Sequence, residues 1–344
     1  MSIIKGMPLL QQFIDTFAVS GNEEEIRNLI LKEIKGHVDE ISLDNMGNII
    51  AHNKGTQPVL MLAAHMDEIG LMVKRVDSAG RIYCSPIGGF DPTILIGQRV
   101  HVGKKDSKII GVLTTDKIAT DLEMIEKPSM EDIYVDTGLT KSQLEKKGIS
   151  IGTYVTLDVK SGNLGNEDYI HGKALDDRIG CYILVELIKQ FKRVKNELYF
   201  VFTVQEEVGL YGAKISAYEI SPDWAIAVDV TNADDRTPDP SKCLGFGPTI
   251  TIKDADMIAN KCINDHIIKL AKRLKIPIQL EVSDIGTTDA FNISLSKGGV
   301  PSTVVGVAIR NIHTCVGIAH RKDIINCIKL LKELIRDPPN LCNF

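Results

Sequence analysis

The chain has 344 residues, which is long enough to bury a sizeable core and to form two domains. A hydrophobic fraction of 44% with 25% charged residues is ordinary for a soluble globular protein, and a net charge of -5 gives no basis for nucleic-acid binding. No secretion leader is expected at the N-terminus, and no apolar run approaches the ~20 residues of a membrane span, so a membrane partner is also not expected.

Cysteine usage gives an expectation about the cellular compartment. The seven cysteines are scattered and show no C-x-x-C spacing. This pattern favours reduced thiols over a disulfide framework or a zinc knuckle. A cytoplasmic protein is therefore predicted.

The first part of the chain, to about residue 65, shows two helical patterns followed by strands. The segment 20–23, Ser-Gly-Asn-Glu, resembles a capping box, and apolar residues follow it at helical spacing. Segments 49–51 and 59–64 are apolar runs typical of strands.

From about residue 69 to residue 163 the pattern changes to short β-branched segments separated by glycines, such as 109–113. This pattern is typical of a small all-β unit. After Gly172 the alternation of helices and buried strands returns. The predicted helices cover about 177–191, 259–274 and 323–335, and the predicted strands cover 198–204, 224–228, 276–282 and 302–307.

Alternating strands and helices imply a mostly parallel sheet with helices on both faces. We therefore predict an α/β fold with a mostly parallel-centred sheet, interrupted by a small inserted β-barrel domain. Residues 1–67 plus 165–344 form the main domain in this interpretation, and residues 68–164 form the insert.

Acidic and imidazole side chains stand at the ends of several predicted strands. Glu206 and Glu207 follow the segment 198–204, whose apolar composition is typical of a buried central strand. Four further residues have similar placements beside strands or at the start of a helix: His65, Asp176, Asp229 and His313. Because ligands of open α/β sheets collect at the carboxyl ends of strands, we expect one site to gather these side chains.

Two imidazoles and several carboxylates, without cysteine, suit zinc, cobalt or manganese. Two such metals can activate a water molecule and polarise a carbonyl, with a free carboxylate as general base. Each feature alone also has a structural explanation. A Glu-Glu pair is usually a solvated turn, Asp176-Asp177 can be a helix N-terminus, and His65 can be a satisfied core histidine. The coincidence of several strand ends favours the functional interpretation.

Six segments together resemble one family, the cytosolic dinuclear metallo-aminopeptidases. This family includes the glutamyl and leucyl aminopeptidases and the tetrahedral aminopeptidases, and some members have been labelled endoglucanase-like. The resemblance covers nearly the whole chain and rests on segments 65–68 (HMDE), 174–180 (ALDDRIG), 205–213 (QEEVGLYGA), 229–231 (DVT), 288–290 (TDA) and 310–314 (RNIHT).

The resemblance implies a ligand for each position of a two-metal site. His65 and Glu207 would bind one metal ion. Asp229 and His313 would bind the other, and Asp176 would bridge the two.

The resemblance also implies two catalytic roles. Glu206 would be the general base, and Asp67 would hold the ring of His65, as expected for the partner of a ligating imidazole.

The predicted function is therefore an aminopeptidase that removes N-terminal residues from short peptides. It would use water activated by two divalent metal ions, zinc or cobalt or alternatively manganese. The resemblance further implies a phosphorylase/hydrolase-like metallopeptidase architecture. The insert would be a dimerisation domain, so a homo-oligomer is expected, either a dimer or a dodecamer built from dimers.

Three alternatives remain open from the sequence. A metal-dependent deacylase or other amidohydrolase of N-acyl amino acids would use the same metals. A glycosidase with Glu206 and Glu207 as acid and nucleophile would leave the other strand-end residues unexplained. A non-catalytic scaffold is disfavoured by the intact general base.

Overall fold

A computed structural model describes residues 4–104, 108–117, 127–191 and 194–339. The α-helices of these residues are α1 (Pro8–Asp15), α2 (Glu24–Ile34), α3 (Lys141–Lys146), α4 (Leu175–Gln190), α5 (Tyr211–Ile220), α6 (Lys261–Leu274), α7 (Asp289–Ser294) and α8 (Arg321–Arg336). The strands are β1 (Glu40–Leu43), β2 (Ile49–Asn53), β3 (Thr56–His65), β4 (Gly70–Val76), β5 (Ile82–Ile87), β6 (Arg99–Val102), β7 (Ile109–Thr115), β8 (Ile133–Asp136), β9 (Tyr154–Leu157), β10 (Gly162–Asn163), β11 (Tyr169–Gly172), β12 (Asn196–Thr203), β13 (Trp224–Asn232), β14 (Thr249–Lys253), β15 (Gln279–Val282), β16 (Ser302–Arg310) and β17 (Gly317–His320).

The larger sheet contains eleven strands among the described residues, in the order β1-β2-β12-β3-β13-β16-β17-β11-β10, with β14 beside β16 and β15 beside β14. Its four central strands, β12, β3, β13 and β16, run parallel to one another. Antiparallel strands flank them on both sides. The predicted α/β fold with a parallel-centred sheet is confirmed.

Helices cover both faces of this sheet, because the side chains of each central strand alternate between two cores. On β3, Leu60 and Leu62 pack into the large core that also contains the buried faces of α1, α2, α4 and α8. Their neighbours Met61 and Ala63 pack into a second core with Ala213 of α5 and Ile293 of α7. The central strands are therefore buried on both sides, as their continuous apolar sequence predicted.

A closed barrel of six strands, β4-β5-β8-β7-β6-β9, forms the second part of the structure. Its strands are antiparallel and enclose a separate core that includes Val73, Val100 and Val135. All six strands lie within the segment 68–164 that the sequence indicated as an insert, whereas β10 already pairs in the larger sheet.

Several elements differ from their predicted bounds. β13 extends beyond residue 228, so Asp229 lies within the strand instead of following it. α4 begins at Leu175, but Asp176 and Asp177 have non-helical backbone angles, and the regular helix follows them. β14, α5 and α7 were not predicted.

The predicted capping box at residues 20–23 is wrong. α2 begins at Glu24, and Glu23 is the residue at its N-cap. The Ser20 hydroxyl donates a hydrogen bond of 2.6 Å to Asp67 instead, far away in the sequence.

The cysteine expectation needs one correction. Cys84, Cys181, Cys243, Cys315 and Cys327 are free thiols, but Cys262 is disulfide-bonded. The prediction of reduced thiols is therefore wrong at Cys262, and Cys342 lies outside the described residues.

No helix of the described residues is both long enough and apolar enough to cross a membrane.

Candidate metal centre

The carboxyl ends of the central parallel strands bring the predicted site residues together. His65 is the last residue of β3 and lies opposite Thr203, the last residue of β12. Glu206 and Glu207 follow β12 directly, and Asp229 lies on the neighbouring β13. The parallel register therefore places side chains from distant parts of the sequence at one edge of the sheet, as the sequence predicted.

Asp176 lies between the two imidazoles. Its Oδ1 is 2.9 Å from Nε2 of His65, and its Oδ2 is 3.4 Å from Nε2 of His313. Each oxygen of one carboxylate therefore faces a different ring. This geometry suits a carboxylate that bridges two cations.

The remaining contacts divide the other carboxylates between the two imidazoles. Asp229 Oδ1 is 3.9 Å from Nε2 of His65, and Glu207 Oε2 is 3.4 Å from Nε2 of His313. The family resemblance implied the opposite division, with His65 beside Glu207. The nearest approaches in the structure favour His313 with Glu207, whereas Asp229 and Glu206 both lie 3.9 Å from Nε2 of His65.

Two overlapping groups of donor atoms are close enough to hold metal ions. One group consists of His65, Glu206 and Asp229, and the other of His65, Asp176 and Glu207, with the donor atoms of each group within 4.8 Å of one another. Nitrogen and oxygen donors without sulfur fit zinc, cobalt or manganese. The residues present therefore fit the metals that the sequence predicted.

Asp67 connects the two halves of this centre. Its Oδ1 accepts a hydrogen bond of 3.1 Å from the backbone N–H of Glu206, and its Oδ2 accepts one of 3.2 Å from that of Glu207. The Nδ1 atom of His65 lies 3.5 Å from Asp67 Oδ1 and has no hydrogen-bond partner among the described residues. Asp67 is fully buried and fixes the turn that carries the two glutamates, next to the ring of His65.

Burial favours the protonated, neutral form of the carboxylates in this centre. It raises the pKa of Glu207 to about 8 and that of Asp229 to about 7, and repulsion from Asp176 adds to both shifts. Burial also raises the pKa of Glu206, despite the opposing effect of His65. Bound cations would offset this repulsion by neutralising the charged forms.

The pKa values of the two imidazoles are also raised, because neighbouring carboxylates favour the charged ring. The hydrogen bond with Asp176 raises the pKa of His313 to about 9. Burial lowers the pKa of His65, but Glu206, Asp176 and Asp67 more than offset this effect and leave it raised. Both rings are therefore drawn toward the protonated form by the carboxylates around them.

A buried ionic network beneath the centre was not predicted as functional. Nζ of Lys173 donates to Glu68 at 2.7 Å from Oε1, and both side chains are almost completely buried. Arg178 is fully buried and donates to the carbonyl oxygens of Met66 (3.0 Å) and Phe13 (2.6 Å). The network ties the end of α1 to the segment between His65 and Glu68. Glu68 and Arg178 both lie in segments of the family resemblance, 65–68 and 174–180, but no local pattern indicated that they would be close.

Asp289 is a second buried carboxylate that the sequence left without a role. It accepts a hydrogen bond of 2.5 Å from the hydroxyl of Thr203, while its Oδ1 has no partner among the described residues. Burial raises the pKa of Asp289 to about 6, and its charge contributes to the raised pKa of Glu206. The segment 288–290 belonged to the family resemblance, and the structure places its Asp289 beside the end of β12.

The centre opens into a cleft of about 730 Å³. Gly88 and Gly89 follow β5, and Gly89 lines this cleft. Gly88 has a φ of +82°, and a Cβ there would lie 2.6 Å from the Ile69 side chain and 3.4 Å from Oε2 of Glu207. Glycine is therefore the residue that fits where the insert approaches the centre.

The fold and the site together define a metal-dependent hydrolase, since a parallel-centred sheet gathers two imidazoles and four carboxylates beside an open cleft. A family model described as M42 glutamyl aminopeptidase matches residues 47–330. The chain belongs to this family and is therefore a metal-dependent aminopeptidase. The deacylase alternative is not favoured by this assignment.

Relatives with similar sequences span almost the same length. The chain is 43% identical over 330 residues to a putative aminopeptidase of Acetivibrio thermocellus, covering 95% of this chain and 97% of that protein. It is 35% identical over 338 residues to a lysyl aminopeptidase of Pyrococcus furiosus, covering 96% of each chain.

Solved structures show the same fold. The aminopeptidase APDkam598 of the archaeon Desulfurococcus kamchatkensis superimposes with a TM-score of 0.92 at 35% identity, covering 97% of this chain and 95% of that chain. The TET1 peptidase of Pyrococcus horikoshii, which can assemble into a tetrahedron or a large octahedral shell, gives a TM-score of 0.87 at 29% identity, covering 95% and 98%.

Proposed function

We propose that the protein uses two divalent metal ions to remove N-terminal residues from short peptides. The position of Asp176 carries this proposal, because its two oxygens face two separate imidazoles at 2.9 and 3.4 Å. A single metal ion would leave one of the two histidines without a function.

In this proposal each metal ion has three protein ligands. His65, Asp176 and Asp229 would hold one ion. His313, Asp176 and Glu207 would hold the other. Asp229 and Glu206 lie equally close to Nε2 of His65, at 3.9 Å, and the family resemblance favours Asp229 as the ligand. Zinc or cobalt fits these ligands, as does manganese. The ions would supply Lewis acidity toward the scissile carbonyl and the attacking water.

Glu206 is the carboxylate that this division leaves free, and we assign it the role of general base. It lies 3.9 Å from Nε2 of His65 and so stands directly beside the proposed metals. Burial raises its pKa, which brings the carboxylate closer to the range in which a base can both accept and return a proton. Glu206 would take a proton from water and pass it to the leaving amine.

The insert would mediate assembly of the protein with further copies of itself. The relationship to the TET1 peptidase, which forms closed shells, supports a homo-oligomer. Assembly from dimers into a dodecamer and the role of the residues 68–164 in dimerisation remain part of this proposal.

A matrix of metals and substrates tests the function. The purified protein would be stripped of metal, reloaded with zinc, cobalt or manganese, and assayed on free and N-acylated aminoacyl amides and short peptides. Hydrolysis of the free N-terminal substrates, at an occupancy of two metals per chain, is expected. Activity confined to N-acylated substrates would contradict the aminopeptidase assignment, and full activity at one metal per chain would contradict the two-metal mechanism.

A further inference from the structure

One loop beside the larger sheet packs into the core of the barrel. We define the His313 loop as residues 311–316, which connect β16 to β17. Cys315 of this loop belongs to the core that the barrel strands enclose, and Val316 packs against it. All other described residues in or against this core lie between positions 71 and 159. The His313 loop is therefore a place where the chain after β16 reaches into the barrel.

Cys315 attaches this loop to the barrel. The residue is 5% exposed, and its Sγ donates a hydrogen bond of 3.3 Å to the backbone carbonyl of Ile94. Burial raises the pKa of this thiol to about 11, so it stays protonated and can donate. Ile94 lies in a single 3₁₀ turn, Pro92–Leu95, whose first residues are held by a hydrogen bond of 3.0 Å from the backbone N–H of Thr93 to Asp91. The acceptor is therefore fixed within the barrel.

His313 depends on the loop for its position. Its side chain is 41% exposed, against 14% for Asp176 and 3% for Glu207. Its backbone has a φ of +52°, in the left-handed region that a residue with a Cβ rarely adopts. Such a conformation persists only where the surrounding contacts impose it. The contacts that hold the loop therefore also determine where the ring lies.

Hydrogen bonds within the loop connect His313 to the part that is buried in the barrel. The hydroxyl of Thr314 donates to the carbonyl oxygen of Asn311 at 2.7 Å, and Nδ2 of Asn311 donates to the carbonyl oxygen of Val316 at 3.3 Å. Cys315 is two residues from His313, so their Cα atoms are at most about 7 Å apart. A displacement of Cys315 would therefore also displace the ring.

A second segment of the barrel approaches the same half of the metal centre. Gly89, which follows β5, has a hydrogen-bond contact with the ring of His313 through its backbone. A Cβ at Gly88 would lie 3.4 Å from Oε2 of Glu207. His313 and Glu207 are the two residues assigned above to one metal ion together with Asp176. The barrel therefore supports the ligands of this ion directly, in addition to its contact with Cys315.

We propose that Cys315 is a positioning residue for the metal ion held by His313, and that the barrel is in this way a structural part of the metal centre. The thiol anchors the His313 loop to Ile94 and so keeps the ring of His313 beside Asp176 and Glu207. Cys315 itself takes no part in coordination or in bond cleavage. This inference rests on the two-metal centre proposed above.

Zinc affinity tests the proposal. The metal-free protein would be titrated with Zn²⁺ in competition with a fluorescent chelator, which resolves the affinities of the two ions. In Cys315→Ala one ion should bind at least about threefold more weakly, because a lost buried hydrogen bond frees the loop, and the affinity of the other should stay within about twofold. Cys315→Ser keeps a donor for the Ile94 carbonyl and should restore the affinity. The weakened ion should be the one that His313→Ala loses.

Cys84→Ala is the matched control. Cys84 is also a free thiol of the barrel core and is also 5% exposed, but it belongs to β5 and not to the His313 loop. Its truncation should lower the thermal midpoint to a similar extent and leave both zinc affinities unchanged. Val316→Ala trims the second residue of the loop that packs on the barrel core and should weaken the same ion as Cys315→Ala. Unchanged affinities in both loop variants, or an equal loss in Cys84→Ala, would overturn the assignment of Cys315.

Hydrogen exchange separates this inference from the proposed function, because it requires neither metal nor substrate. In the chelated protein the amides of the His313 loop should exchange at least about threefold faster in Cys315→Ala than in wild type, and at the wild-type rate in Cys84→Ala. Faster exchange confined to Cys315→Ala would support the anchor even if the protein bound one ion or hydrolysed no peptide, in which case the proposed function alone would fail. Equal exchange in all three proteins would refute the anchor, whatever the activity.

Discussion

Oδ1 of Asp67 accepts a hydrogen bond of 3.1 Å from the backbone N–H of Glu206. This contact joins the end of β3 to the turn after β12, because Asp67 also lies 3.5 Å from the ring of His65. One buried carboxylate therefore holds the turn of the proposed base beside a proposed metal ligand.

Asp67→Asn is expected to lower both metal affinity and kcat by roughly 10- to 100-fold, because an amide nitrogen cannot accept the hydrogen bonds that both carboxylate oxygens now receive. Metal affinity would be measured by competition with a chelator and kcat at saturating metal. Ser20→Ala removes a single hydrogen bond of 2.6 Å to the same carboxylate and should have a much smaller effect on both quantities. Equal effects of the two substitutions would contradict the organising role of Asp67.

Glu206 and Glu207 are expected to respond differently to the same substitution. Glu206→Gln should keep both metals and lose turnover by roughly 10²- to 10⁴-fold, because an amide cannot accept the proton. Glu207→Gln should instead lower metal occupancy, measured by elemental analysis. Near-normal turnover of Glu206→Gln would show that the roles of the two glutamates are assigned wrongly.

The division of ligands between the two metals can be tested by pairs of substitutions. If His65 and Asp229 hold the same ion, the double variant His65→Ala/Asp229→Ala should lose no more metal than either single variant. The double variant His65→Ala/His313→Ala should lose both ions. Metal content per chain after dialysis distinguishes the outcomes. Loss of both ions from His65→Ala/Asp229→Ala would favour the division that the family resemblance implied.

Stability without metal should fall as the pH rises. The pKa of Glu207 is raised from 4.5 to about 8 and that of Asp229 from 3.8 to about 7. Between about pH 4 and about pH 8 the folded protein therefore holds more protons than the unfolded chain. Its free energy of unfolding decreases as the pH rises through this range. The pKa of His313, raised from 6.5 to about 9, extends the decrease in the same direction. The lowered pKa of Asp176 acts only under more acidic conditions.

Metal binding should reverse this trend, because the ligands must be deprotonated to coordinate. The thermal midpoint of the chelated protein should be lower at about pH 9 than at about pH 6, and the increase on adding zinc should be larger at about pH 9. Differential scanning calorimetry of chelated and reloaded protein measures both quantities. An increase on metal addition that is independent of pH would count against coordination by these carboxylates.

The buried network of Lys173 and Glu68 should be far more important for folding than an exposed ion pair. Lys173→Met leaves the Glu68 carboxylate buried without its nearest cation and should lower the free energy of unfolding by about 3–5 kcal/mol. Lys261→Met breaks an exposed pair with Asp265 and should change the free energy by less than about 1 kcal/mol. Urea unfolding of both variants provides the comparison. Similar effects would show that the network is not structurally important.

The sequence was informative wherever the signal was local. Apolar runs indicated the buried central strands, and polar residues at their ends indicated the edge at which a site would form. The segment with frequent glycines contains the barrel strands. Local patterns failed at Ser20, whose apparent capping role was replaced by a hydrogen bond to Asp67, because the competing partner lies distant in the sequence.

The sequence alone determined the parallel-centred α/β fold and the six polar residues that this fold gathers, since strand burial and strand ends are encoded in short runs of residues. Only the tertiary structure decided which carboxylate faces which imidazole. It also decided that Asp67 holds the turn of the two glutamates. These relationships depend on strand register and side-chain direction between segments far apart in the chain, and no local pattern of residues specifies them.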